Sequence, residues 1–275
     1  SAIVNANNEV TLLSAKISSE LNLIEPILIG NEQEIRKICT QIKWDLNEVN
    51  IVNTLEEKES SKIACQMASE NKIGLLVKGH MHTDILMGEY IKSSYSLRNK
   101  GEKLSHIWFM TIPSRREPLI ITDGALNIKP SLQTKKMILK NVINFTKRIK
   151  NFEPYISVLS ATEEVLPQME SSVDAKDLME WALREIDPSL KIMGPLAFDN
   201  SISNHAAKMK GIDNQVAGNA NILLVHNIET GNSLVKMLVN FLDATAGGFV
   251  TGSNIPVVIT SRSDSLDSRL SSIRN

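Results

Sequence analysis

The chain has 275 residues, enough for one large domain or two of ordinary size with real cores, and 42% of them are hydrophobic against 22% charged. The composition is that of an ordinary soluble globular protein, and a formal net charge of -1 leaves no field of one sign to draw in nucleic acid. Cys39 and Cys65, the two cysteines of the chain, sit in segments of helical periodicity, which excludes a disulfide framework and a thiolate zinc site and fits a reducing cytoplasm.

Short β-branched or Leu-rich runs recur along the chain, each followed by a longer stretch with apolar residues three and four apart. That alternation is the signature of βα units and of a largely parallel sheet. Strands are expected at 2–5, 26–30, 49–53, 73–78, 106–112, 119–122, 155–159, 191–194, 222–225 and 257–260. Helices are expected at 9–23, 32–42, 56–71, 83–96, 131–150, 174–185, 200–210, 231–246 and 265–273. Thr54, Ser172 and Asp199 read as helix starts. The polar stretch Arg98-Asn99-Lys100-Gly101-Glu102-Lys103 reads as a linker, and a Gly-rich break runs from Gly247-Gly248 to Gly252.

The opening residues, Ser1-Ala2-Ile3-Val4-Asn5, show no basic stretch leading into an apolar one, and no apolar run approaches the roughly 18 residues that span a bilayer. The reading is a soluble, unexported chain. The start without Met reads as a trimmed chain or a piece of a longer polypeptide.

In a parallel α/β sheet, ligands gather beyond the carboxyl ends of the strands, so the polar residues just after each strand are the ones to weigh. Four junctions stand out: Lys78-Gly79-His80-Met81-His82-Thr83, Thr122-Asp123-Gly124-Ala125-Leu126-Asn127, Gly194-Pro195-Leu196-Ala197-Phe198-Asp199-Asn200, and Thr260-Ser261-Arg262-Ser263-Asp264-Ser265. His80 and His82 could chelate a metal together, yet no third ligand stands at a completing spacing, and a polar loop at a pocket mouth is the plainer reading. Gly231-Asn232 reads as the opening of a helix after a strand, where an anion is favoured, or simply as a turn. Neither a GxxxxGK[ST] loop nor a GxGxxG fingerprint is present, which removes the commonest nucleotide-binding readings. Ser261, Arg262 and Asp264 follow a hydrophobic strand and put a hydroxyl, a guanidinium and a carboxylate close together. They read either as a catalytic group or as a helix cap with an Arg–Asp pair.

Taken in order, these residues resemble the phosphate acetyl- and butyryltransferase family. The resemblance rests on Leu75-Leu76-Val77-Lys78-Gly79, His82-Thr83, Leu104-Ser105-His106, Ile121-Thr122-Asp123, Asn127-Ile128-Lys129-Pro130, Gly194-Pro195-Leu196-Ala197-Phe198-Asp199, Val216-Ala217-Gly218, Gly231-Asn232 with Lys236, and Thr260-Ser261-Arg262. The stretch 78–87 is similar to a branch in which this domain follows an enoyl-CoA hydratase-like one, which implies a possible N-terminal fusion partner.

The resemblance implies an α/β fold of the isocitrate/isopropylmalate dehydrogenase type, with two domains and an interdomain cleft: 1–102 plus 252–275, and an inserted 103–251. It implies exchange of an acetyl or short acyl group between coenzyme A and inorganic phosphate in a cytoplasmic homodimer. Coenzyme A enters as substrate, and neither a resident cofactor nor a metal is implied. Ser261, Arg262 and Asp264 are expected to be catalytic. Lys78, Gly79, His82, Thr83, Arg98, Asp123, Asn127, Asp199, Asn200, Gly231, Asn232 and Lys236 are expected to bind substrate. Gly88 stands where many members carry an arginine, so one phosphate contact of the family is either absent here or replaced, with Arg98 as the candidate. Ser268 stands where the acetyl branch has an Asp, which leaves Asp264 and Asp267 as candidate bases, and His226 stands where proline is usual. The rival readings are a longer-chain phosphate butyryltransferase, a non-catalytic CoA-sensing oligomerisation domain and a metal-dependent dehydrogenase.

Overall fold

The computed structural model describes residues 1–98 and 101–259, with positions 266, 270, 272 and 273. Its contacts divide the chain into two compact units, Ser1–Glu102 with Gly247–Asn275, and Lys103–Ala246. Among the described residues no helix is long and apolar enough to cross a membrane.

The first unit opens with β1 (Ala2–Val4), α1 (Glu9–Glu20), β2 (Ile27–Gly30), α2 (Glu32–Gln41), β3 (Asn50–Asn53), α3 (Glu57–Ser69), β4 (Leu76–Lys78) and α4 (Thr83–Tyr90). The second unit contributes β5 (Ser105–Thr111), β6 (Leu119–Thr122), α5 (Leu132–Thr146), β7 (Ile156–Leu159), α6 (Glu170–Glu185), β8 (Ile192–Leu196), α7 (Phe198–Ile202), α8 (Asn204–Met209), β9 (Ile222–Leu224) and α9 (Ile228–Leu242). The chain then passes through β10 (Thr245–Thr251) and β11 (Val257–Val258), and the division between units falls inside β10.

In the first unit the strand order is β3-β2-β1-β4-β11-β10. All neighbours are parallel except β10 and β11, which pair with Phe249 opposite Val258. Ala2, Ile3 and Val4 of β1 and Leu28 and Ile29 of β2 are buried, as expected of strands covered by helices on both faces. In the second unit the order is β5-β6-β9-β7-β8, parallel except for β5 against β6. Ile121, Leu223, Leu159 and Leu196 meet Val235 and Leu238 of α9 in its core.

Several helix starts follow side-chain caps. The side-chain oxygens of Asn8, Asn31, Ser131 and Asn227 accept from Thr11, Glu34, Thr134 and Thr230 backbone N–H, each closing one orphan donor. Three expected starts lie elsewhere. Thr54 is buried and its hydroxyl meets that of Ser60 at 2.7 Å, while α3 begins after Glu56. Ser172 is inside α6, where it accepts from Leu166 N–H at 2.9 Å and donates to Met169 O at 2.8 Å, so α6 begins four residues earlier than expected. Asp199 is the second residue of α7, and the helix expected over 200–210 breaks at Ser203, whose extended backbone ends α7 and whose hydroxyl caps α8.

Two further expectations are corrected. The helix expected to reach residue 246 stops at Leu242 because Asp243 turns left-handed (φ 50°), and the glycine-rich stretch read as a break is the buried strand β10. The strand expected over 191–194 continues to Leu196, and it carries Pro195 at the last position of the strand order, where a missing N–H leaves no ladder bond open.

The Tyr90 hydroxyl donates to the carbonyl of Ile255, joining α4 to the residues that lead into β11, and burial pushes its pKa up to about 12. Tyr90→Phe should therefore lower stability by about 1 kcal/mol with the fold retained. Urea unfolding followed by circular dichroism measures this, and an unchanged midpoint would show that the bond contributes nothing.

Candidate active site

In each unit the parallel strands end on one side, and most of the expected binding residues follow those ends. In the first unit, Gly79 N–H donates to Val4 O at 2.8 Å and His80 N–H to Asn5 O at 3.0 Å, so the loop after β4 is stitched to the end of β1. Only glycine fits there: a Cβ on Gly79 would stand 2.5 Å from the carbonyl oxygens of both Val4 and Asn5. Lys78 is buried, with Nζ donating to Met81 O at 3.1 Å and Gly79 O at 3.4 Å, so its ammonium braces the same loop. His82 stands at the N-cap position of α4 without a side-chain cap bond, and its N–H donates to Glu57 Oε2 at 3.1 Å; Thr83 follows as the first helical residue, exposed.

The sequence reading missed the asparagines beside this loop. Asn5 Nδ2 donates to His80 O at 2.6 Å, Asn7 Nδ2 to Asn5 Oδ1 at 2.9 Å, and Asn7 Oδ1 accepts from Asn31 N–H at 2.9 Å. Asn53 Oδ1 accepts from Glu32 N–H at 3.0 Å. The available signal was that Asn5, Asn31 and Asn53 each stand at or just after a strand end.

His80 Nδ1 lies 3.3 Å from Asn8 Nδ2. Among the described residues, no group of three or more His, Cys, Asp or Glu side chains is placed to hold a metal. Arg98 and Gly88 are both exposed, and a Cβ on Gly88 would meet open space. Cys39 and Cys65 are buried thiols, pushed up to about 11 and about 12 chiefly by burial.

In the second unit, Asp123 follows β6 through a cis peptide bond and is buried. Its Oδ1 accepts from Ala125 and Leu126 N–H at 3.0 and 2.9 Å, and its Oδ2 from Asn127 Nδ2 at 2.6 Å. Asn127 also donates to Leu104 O at 2.9 Å. The carboxylate thus shapes its own loop. His106 lies buried on β5; burial, which outweighs the attraction of Asp123, pushes its pKa down to about 4, so the ring is neutral at physiological pH.

The structure brings the Asp123 loop against Gly231 and Asn232. A Cβ on Gly124 would stand 2.9 Å from Gly231 Cα and 3.1 Å from Asn232 N, so the two backbones are in direct contact. Gly231 is not the opening residue of its helix: α9 begins at Ile228, and Gly231 N–H already donates to Asn227 O at 3.3 Å. The anion site expected from a helix opening at Gly231 is therefore corrected, because that N–H belongs to the helical ladder. Lys236 lies five residues further along α9, exposed.

Asp199 and Asn200 have other neighbours. Asn200 is fully buried; its Nδ2 donates to Glu163 Oε2 at 3.0 Å, and its carbonyl accepts from Gly218 N–H at 2.8 Å, which joins the two motifs around 197–200 and 216–218. Asp199 lies 3.6 Å from Lys210 Nζ, and the closer Lys210 bond to Glu163 at 3.0 Å holds that glutamate below the usual carboxylate range. Ser261, Arg262 and Asp264, with Asp267, lie outside the described residues.

A sequence profile described as phosphate acetyl/butaryl transferase matches residues 57–273. A phosphate acetyltransferase of Rhizobium meliloti is 38% identical over 265 residues, 96% of this chain and 84% of that protein. A probable phosphate butyryltransferase of Bacillus subtilis is 33% identical over 272 residues, 99% of this chain and 90% of that one. Among solved structures, a branched-chain phosphotransacylase from Enterococcus faecalis V583 matches with a TM-score of 0.82 at 28% identity, covering 99% of this chain and 96% of that one.

The close approach at Gly124 and Gly231 sets a prediction. In Gly231→Ala the new methyl group would meet Gly124 Cα at 2.5 Å and Val225 Cγ2 at 3.0 Å, and neither backbone can yield without moving its loop. A loss of about 1–3 kcal/mol is expected, the range for overpacking, and it is measured by thermal unfolding. A wild-type melting temperature would mean that the two loops separate freely.

Proposed function

Because the chain belongs to the phosphate acetyl/butyryltransferase family, we propose that it passes an acetyl or other short acyl group between coenzyme A and inorganic phosphate. The observation that carries this reading is the family match over 57–273, with phosphate acyltransferase relatives aligned over nearly the whole chain. The butyryltransferase relative favours a second, narrower reading in which longer acyl groups are preferred. A two-domain fold of the isocitrate/isopropylmalate dehydrogenase type, a cytoplasmic homodimer and activity without metal or resident cofactor belong to the same proposal. Its support on the fold side is the pair of α/β units, the first built from both ends of the chain.

In the direction that makes acyl-CoA, the CoA thiol attacks the carbonyl carbon of acyl phosphate and phosphate leaves. A free thiol of pKa about 8.5 is only a few per cent thiolate at neutral pH, so a carboxylate within reach of sulfur must take the proton. Charge then grows on the carbonyl oxygen and on the departing phosphate, which calls for a bidentate Arg and a hydroxyl or N–H donor. We assign Arg262 to the phosphate, Asp264 to the thiol proton and Ser261 to orienting the carbonyl or sulfur. β11 runs parallel to β4, with Val257 opposite Leu76, so the carboxyl end of β11 stands beside the end of β4 from which the Lys78–Thr83 loop departs. Lys78, Gly79, His82, Thr83, Arg98, Asp123, Asn127, Asp199, Asn200, Asn232 and Lys236 are assigned to substrate binding, Gly231 being the contact that seats Asn232.

Coupled assay of acetyl, propionyl and butyryl phosphate with CoA tests the activity. Turnover dependent on both CoA and acyl phosphate, with release of inorganic phosphate, is expected, whereas tight acetyl-CoA binding without turnover would point to a sensor. Arg262→Lys should keep the fold and lose about 10²–10³ in turnover, because lysine supplies charge without two parallel N–H bonds. Asp264→Asn should leave phosphate affinity nearly intact, with a deficit that shrinks as pH rises toward the thiol pKa. A silent Asp264→Asn beside an inactive Asp267→Asn would reassign the base. Activity should survive EDTA; loss restored by zinc or magnesium would overturn the metal-free assignment.

A further inference from the structure

Lys135 lies on the buried stripe of α5, with Ile138, Leu139, Val142 and Ile143, and is 2% exposed. The helical period thus sends an ammonium to a position otherwise held by apolar side chains, and a buried charge persists only when paired. Its Nζ donates to Asp174 Oδ2 on α6 at 2.6 Å and lies 2.8 Å from His226 Nδ1, just past the end of β9. An ammonium offers only donors, so Nδ1 of His226 carries the lone pair and the ring proton sits on Nε2. Nε2 faces Glu170 Oε2 at 4.0 Å, and Glu170 in turn lies 3.6 Å from Lys129 Nζ. Lys129 and Lys135 from the α5 side and Glu170 and Asp174 from α6 are the charged groups acting on the ring.

His226 lies in the short connection Val225–Asn227, which leads through the cap residue Asn227 into α9, where Gly231 and Asn232 meet Gly124. We propose that Lys135 is a positioning residue, whose ammonium ties the β9–α9 connection through His226 to Asp174 of α6 and so sets where Asn232 stands beside the Asp123 loop. The Gly124–Gly231 contact fixes one side of that connection, and the Lys135–His226 bond fixes the other. The consequence for substrate binding rests on the acyl-transfer reading; the tie itself does not.

Burial first, then the Lys135 charge, hold the His226 pKa below the ordinary 6.5, against the opposing pull of Asp174 and Glu170. The folded value is the lower one, so the folded state binds fewer protons between the two values and stability rises with pH there. The tie is therefore fully present above about pH 6.5 and lost as pH falls through the lowered folded value.

Three variants of the whole chain test this. His226→Ala removes the acceptor, His226→Gln keeps an acceptor that does not titrate, and Lys135→Met with Asp174→Leu removes the ion pair without stranding a carboxylate. Amide hydrogen exchange over residues 225–232 and the KM and kcat for CoA and acetyl phosphate are read for each. His226→Ala and the double variant should speed exchange and raise KM about tenfold, the scale of one charge-assisted hydrogen bond, with kcat little changed. His226→Gln should stay within about twofold of wild type and lack the rise in KM expected of wild type as pH falls through the lowered His226 value. Unaltered exchange and KM in His226→Ala and the double variant, or a His226→Gln that fails as His226→Ala does, would overturn the proposal. If the wild-type chain exchanges no acyl groups, the acyl-transfer reading falls while the exchange rates alone still decide whether the tie exists.

Discussion

A parallel sheet sends every strand out at the same end, and each departing loop carries backbone donors and acceptors that the ladder no longer satisfies. The two units meet that constraint differently. In the first, asparagines bridge from strand end to strand end, as Asn5, Asn7 and Asn31 do, because an amide can donate and accept at once. In the second, Asp123 accepts from two backbone N–H groups and from Asn127, closing its loop on one carboxylate. The polar residues that a ligand would meet at these ends are therefore already engaged in holding the loops, which is the preorganised state that binding favours.

The alternation of βα units was legible because strands buried on both faces must be apolar runs, and β1, β2 and β6 are such runs. What escaped was set by side chains with two readings. Gly247 and Gly248 read as a break because glycine weakens strands, yet they lie inside β10, where ladder bonds and the burial of Phe249 and Val250 decide the conformation. Ser172 reads as a cap, but in the fold its hydroxyl is turned to the chain before α6. The asparagines are each a turn residue by themselves, and only the sheet order makes them neighbours.

The expected binding residues divide along the same line. Those that share a loop, Lys78 with Gly79 or Asp123 with Asn127, are tied by short-range bonds that spacing foretells. The meeting of Gly124 with Gly231 joins positions more than a hundred residues apart and follows from β6 lying beside β9, which no local pattern encodes. Lys135 and Lys136 show the same divide within one helix: adjacent and chemically alike, one is buried against Asp174 while the other stands over the Trp181 ring at 5.1 Å. Helical period alone assigns their faces, but only the tertiary fold supplies the carboxylate and the imidazole that make the buried one tolerable.

The burial of Cys39 and Cys65 bears on chemistry beyond their own packing. A chain that handles coenzyme A meets thioesters and, under oxidation, mixed disulfides, and any accessible thiolate of its own would compete as an acyl acceptor or be capped. With both thiols sequestered and kept protonated, the two cysteines contribute hydrophobic volume without a nucleophile. Neither cysteine presents the thiol pool around it with an exposed nucleophile.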